Sequence, residues 1–173
     1  SFADGQSNQL INTIYAKFYT TDMDSNGRAD LLVLREGETD VSAGTAVLYT
    51  YENDAMVRSK EIRLSQRIEQ VKRTKVSRLQ SGETALYISS SMNDSAIVTD
   101  VLMVQDGDLV NLNSGNKLAY SVQTLRNYFL YMDDIDDDGV MELPSLMDLR
   151  AAPDQSDGKR QQLVYWYSID SEG

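Results

Sequence analysis

Residues 131–143 read YMDDIDDDGVMEL, and from Asp133 to Glu142 six carboxylates fall in ten positions with no basic residue among them. Like charges at that density repel, so the stretch is either a solvated acidic turn or a cage for a cation. Its spacing fits a cage. Asp134, Asp136 and Asp138 alternate, Gly139 follows, and Glu142 comes three residues later. Residues 22–30 carry the same pattern as Asp22, Asp24, Asn26, Gly27 and Asp30. Oxygen side chains at alternate positions of a tight turn converge on one side, and the glycine lets the backbone reverse. Arg28 and Val140, two positions past the third oxygen, can offer only their main-chain carbonyls. Each loop would then bring about five hard oxygen ligands, with water completing the six to eight or so that Ca²⁺ takes.

A calcium loop between two helices is the first alternative to weigh. It needs a bidentate glutamate at position 12, and here that position is Val33 or Ser145. The closing carboxylate instead sits at position nine and runs straight into an apolar, β-branched stretch. The EF-hand reading fails on both counts, and its dockerin variant with it. Without a cation, the loop at 134–142 is expected to repel itself and to hold its carboxylates above their usual pKa range. Bound metal would relieve both effects, which gives the two ions a structural role at strand junctions.

Composition removes most other chemistry. The 173-residue chain has no Cys and no His, so disulfides, thiolate zinc sites and every histidine-dependent nucleophile are excluded. With 16 basic and 27 acidic residues it carries a net charge of −11, which favours cations and argues against nucleic acid. No apolar run approaches the roughly 20 residues of a membrane-spanning helix. A carboxylate pair of the glycosidase type is the one enzyme class left open, but the clustered acids are better explained as metal ligands.

The two loops belong to a longer repeat. Gly27, Gly82 and Gly139 each precede, by three and four residues, the pairs Asp30-Leu31, Ala85-Leu86 and Glu142-Leu143. Each pair opens a strand-like run (DLLVLR, ALYISSS, ELPSLM), and a second run follows (TAVLYTYE, AIVTDVLMVQ, QQLVYWYSI). Polar turns at 53, 106 and 170 end the second runs, and AMVRSKEIRL and DLVNL read as return strands. This predicts an all-β, antiparallel array of about three four-stranded units, near 9–66, 67–121 and 122–173, the last incomplete. Helical spacing is passable only at 61–73, through Leu64, Ile68 and Val71, and ambiguous at NQLINTIYAKF (8–18). Residues 150–162 read as a surface loop.

With its loops of the form Asp-x-Asp-x-Asp/Asn-Gly-x-x-Asp/Glu-Leu between paired strands, the chain resembles the FG-GAP and VCBS-type repeats of β-propellers. The match is close over 22–31 and 134–143 and holds in outline between them. TALYIS, VTDVLM, GDLVNL and DIDDDGVMELP are also similar to secreted or lipid-anchored proteins of clostridia. The resemblance implies a propeller-like fold, two structural Ca²⁺ sites, an extracellular or cell-surface bacterial location, and no established activity. Closed propellers have about four to eight blades. Three imply part of a longer protein, an open array, or closure by pairing with a second copy. The middle unit departs from the pattern, with Ser77, Leu79 and Ser81 at the ligand positions, and is expected to be metal-free.

The remaining features read as structure. Residues 60–78 hold seven of the sixteen basic residues, without interleaved aromatics, and read as a solvated strand edge rather than a nucleic-acid surface. Alternation on a strand sends Tyr165 and Tyr167 to one face and Trp166 to the other, in packing between units, although a sugar platform is the sharper alternative. YFLY (128–131) reads as packing too, and Thr99-Asp100 as a hydrogen-bonding pair inside an apolar strand. The function expected is a non-catalytic, calcium-stabilised binding or scaffold module of a bacterial surface or secreted protein. Its partner would be a protein or glycan, with self-association possible. The alternative is a carbohydrate-active enzyme or its sugar-binding accessory domain.

Overall fold

The computed structural model describes residues 16–39, 42–93, 96–114, 129–149 and 161–171. Among them are eleven strands and one short 3₁₀ turn, Ile68–Gln70. None of the described helical segments is long and apolar enough to cross a membrane.

Three antiparallel sheets follow one another along the chain. The first runs β1 (Ala16–Thr21), β2 (Asp30–Arg35), β3 (Thr45–Glu52) and β4 (Ala55–Arg58), with β5 (Ile62–Arg63) also pairing to β3. The second runs β6 (Val71–Arg78), β7 (Thr84–Asn93), β8 (Ala96–Gln105) and β9 (Asp108–Asn111). The third pairs β10 (Glu142–Leu149) with β11 (Gln161–Ser168). Two hairpins close on two-residue turns, and their sequences explain why. Asn53 and Asp54 adopt φ of +47° and +62°, and Asp106 and Gly107 +52° and +81°. A tight turn that matches strand twist needs positive φ at both central residues, which Asn, Asp and Gly tolerate best.

Side-chain alternation then builds a layered core. Leu32, Leu34, Ala46 and Leu48 of the first sheet share a buried cluster with Leu86, Ile88 and Leu102 of the second. The opposite face of the second sheet presents Ala85, Tyr87, Val101 and Met103, clustered with Met132, Met141, Leu143 and Ile169. The middle sheet is thus apolar on both faces, which is why β7 and β8 read as nearly unbroken buried runs. Ser89, Ser90, Thr99 and Asp100 are the polar exceptions there; Ser89 and Thr99 share a hydrogen bond, and Asp100 accepts from Ser65.

The all-β, antiparallel expectation holds, with β2, β3 and β8 spanning the anticipated runs. Residues 61–73, the one stretch with helical spacing, instead form β5, the 3₁₀ turn and the start of β6. Their apolar residues are claimed singly by the core: Leu64 and Ile68 are buried in the first cluster and Val71 packs against it. The return strand expected over 55–64 is split into β4 and β5, with Ser59 between them hydrogen-bonded to Leu48. Of NQLINTIYAKF, residues 8–15 lie outside the described residues and 16–18 are strand. Residues 150–160 of the anticipated loop also lie outside them, while Gln161 and Gln162 belong to β11.

Candidate metal centres

Both acidic loops join the first strand-like segment of a unit to the second, and their backbones follow the same course. In the first loop Ser25 and Gly27 adopt φ of +60° and +83°; in the other Asp137 and Gly139 adopt +61° and +86°. Their backbone N–H bonds to side-chain oxygens correspond one for one. Asp22 takes N–H bonds from Asn26 (3.0 Å) and Gly27 (2.9 Å), as Asp134 does from Asp138 and Gly139 (both 3.0 Å). Asp24 accepts from the Asn26 N–H at 3.1 Å, as Asp136 does from that of Asp138 at 3.3 Å. Asn26 Oδ1 receives the Arg28 N–H at 2.8 Å, and Asp138 Oδ1 that of Val140 at 2.7 Å. The closing carboxylates reach back, Asp30 to the Met23 N–H and Glu142 to the Ile135 N–H, both at 2.9 Å. Alternating side-chain acceptors thus wind each loop around its own carboxylates.

This winding brings charge together. One oxygen each from Asp22, Asp24 and Asp30 lie within 4.8 Å of one another, and so do oxygens of Asp134, Asp136 and Asp138. Glu142 stands outside the second trio but is tied to the same loop through Ile135, and Asn26 Nδ2 donates to Asp24 at 2.8 Å. Arg28 is exposed, its guanidinium 5.6 Å from the centroid of the Tyr51 ring. Val140 is half-buried and forms a parallel bridge with Arg78. All ten residues expected at the two sites therefore lie in two loops of the same build.

Asp30 bears most directly on a ligand. It is 2% exposed, and its Oδ1 is a buried atom with no hydrogen-bond partner. Burial pushes its carboxyl above the usual range, the Met23 N–H opposes that, and the charges of Asp24 and Asp22 push it further up. Burial likewise raises Glu142, against the Ile135 N–H, with Asp136, Asp138 and Asp134 adding repulsion. An orphaned buried carboxylate oxygen beside two more carboxylates fits a hard cation, which would satisfy the oxygen and cancel the repulsion. Asp22, Asp24 and Asp30 would hold the ion in the first loop, and Asp134, Asp136 and Asp138 in the other.

The middle unit uses its ligand positions differently. Leu79 is fully buried in the core, the Ser77 hydroxyl donates to the Gly139 carbonyl at 3.0 Å, and Ser81 Oγ accepts the Ser171 N–H at 3.0 Å. β6 is an edge strand of its sheet with Lys72, Lys75 and Arg78 exposed, while Arg73 pairs with Asp133 at 3.1 Å. Asp100 is a hub that the sequence marked only as a polar pair. It is fully buried and accepts from Ser65 N–H and O–H (2.9 and 2.6 Å) and from Asn111 Nδ2 (2.8 Å). Of the aromatic run, Tyr167 packs against the second cluster, but Tyr165 is 42% exposed on the same strand face, so inter-sheet packing covers only part of it.

Comparison of the chain with protein-family models, with curated proteins and with solved structures finds no match in any of the three. The sheets and the two loops therefore carry the functional reading by themselves.

Proposed function

We propose that this chain is a non-catalytic, calcium-stabilised binding or scaffold module of a bacterial surface or secreted protein. In this reading its sheets are blade-like units of the FG-GAP or VCBS type. The observation that carries the cation reading is the buried, unpartnered Asp30 Oδ1 beside Asp22 and Asp24. Its support is a second loop that repeats the same turn and hydrogen bonds 112 positions later, Asp22 corresponding to Asp134. The hard, all-oxygen donors favour Ca²⁺; Mg²⁺ demands a stricter octahedron and sheds its water reluctantly. The role is structural because each loop joins two antiparallel-paired segments: Thr21 pairs with Asp30 in the first sheet, and Asp133 bridges Glu142 at the start of β10.

Thermal unfolding of EDTA-stripped protein tests this. Millimolar Ca²⁺ should raise Tm by several degrees and Mg²⁺ by much less. At a hundredfold excess over Kd the gain is about 2.7 kcal/mol per site. Asp22→Ala with Asp24→Ala should remove one part of the response, and Asp134→Ala with Asp136→Ala the other. No Ca²⁺ shift in the parent protein would reduce both loops to solvated turns.

A further inference from the structure

Asn26 is the only asparagine in the chain that a glycine follows. That pair is chemically labile. The Gly27 nitrogen, with no side chain beside it, can attack Cγ of Asn26. The new N–Cγ bond closes a five-membered imide, the Cγ–Nδ2 bond breaks, and the amide leaves as ammonia with the Gly27 proton. Water then opens the imide at either carbonyl, giving aspartate or its β-linked isomer. The surroundings leave room for this. Ser25 to Ala29 are exposed, and a Cβ added to Gly27 would meet nothing within 4 Å, so neither the ring nor the incoming water is obstructed. The other asparagines in described segments differ: Asn53 and Asn93 precede aspartates, and Asn111 and Asn113 are buried.

The folded loop ties down both reacting groups. Gly27 N–H donates to Asp22 Oδ2 at 2.9 Å, and Asp22 Oδ1 takes the Asn26 N–H at 3.0 Å. The Asn26 side-chain amide is fixed at both of its polar atoms: Oδ1 accepts the Arg28 N–H at 2.8 Å, and Nδ2 donates to Asp24 Oδ2 at 2.8 Å. Attack requires the nitrogen to leave Asp22 and the side chain to turn from Arg28 and Asp24 toward it. We propose that Asn26 is a site of spontaneous deamidation latched by the loop's own hydrogen bonds, with Asp22 as the main latch, so that modification proceeds as the loop opens. The aspartate product would give the first loop carboxylates at three alternate positions, as Asp134, Asp136 and Asp138 already give the other. Any effect of that added charge on cation binding rests on the function proposed above; the modification itself does not.

Incubation of the intact chain in mildly alkaline EDTA buffer, followed by peptide mass mapping, tests the latch with no cation present and so independently of any Ca²⁺ response in Tm. Conversion should concentrate at Asn26 and run faster in the urea-unfolded chain than in the folded one. Asp22→Ala should speed it about tenfold in the folded chain, the effect of losing one hydrogen bond to a charged group. Asp22→Asn, which keeps the side chain's size, should give a smaller rise with circular dichroism unchanged. Asp134→Ala, the corresponding change in the other loop, should leave the Asn26 rate as it was. Equal rates in the folded and unfolded chains overturn the latch, as does a rate that neither Asp22 variant raises or that Asp134→Ala raises equally. No conversion at Asn26 even in urea overturns the site itself.

Discussion

At the scale of single residues, the loops depend on backbone conformations that few side chains accept. Gly27 and Gly139 sit at φ near +85°, in open space where an added Cβ would meet nothing within 4 Å. Replacing either by alanine therefore costs conformational strain rather than a clash, about 1 kcal/mol each. The unfolding free energy from urea titration should fall by that amount, and Gly→Asn should cost less because asparagine visits this region more readily. The glycines and alternating acids were legible in the sequence because a tight turn leaves a local pattern. The orphaned Asp30 oxygen was not, since burial depends on the chain packed around it.

At the scale of elements, Asp100 ties the middle sheet to the segment between β5 and the 3₁₀ turn. Burial lifts its carboxyl above the usual range, and the hydrogen bonds from Ser65 and Asn111 pull the other way without cancelling the lift. The folded chain thus holds a proton here more tightly than the unfolded chain does. The stabilising contribution of this shift is present below the unfolded pKa and is lost as pH rises through the folded one. Asp100→Asn should remove that dependence and leave one of three donors unmatched, at a cost of about 2 kcal/mol. Urea unfolding of both proteins between about pH 4 and 8 checks it: stability should fall less steeply with rising pH in the variant. Sequence placed this pair inside an apolar strand and read it as a hydrogen-bonding feature. It could not name Ser65, because 35 residues separate the partners and Ser65 lies in an irregular segment outside the middle sheet. The same limit explains 61–73, where apolar spacing fits a helix but tertiary packing places a strand, a turn and another strand.

At the scale of the whole molecule, the middle sheet carries two cores, one on each face. Leu102→Ala should open a cavity in the first cluster and cost about 3 kcal/mol, whereas Leu163→Ala, at 41% exposure, should change stability by less than about 0.5 kcal/mol. Chemical denaturation of the two variants measures the contrast. This layering also distinguishes the ends of the stack from its middle. Met23 and Met141 are covered while Ile135 and Ala29 are not, although the same backbone N–H bonds wind the loops that present them.

The sequence by itself determined the β class, most strand runs, the turn residues and the two acidic loops. All of these rest on short-range periodicity or on backbone rules that a few neighbouring residues satisfy. Tertiary structure alone decided that Leu64 and Ile68 serve a core without a helix. It also decided that Asp100 ties the middle sheet to the segment around Ser65, that Asp30 is left with an unpartnered oxygen, and which loop edges are covered. Each of these depends on which distant side chains exclude water from a given atom, and the local pattern of residues does not encode that choice.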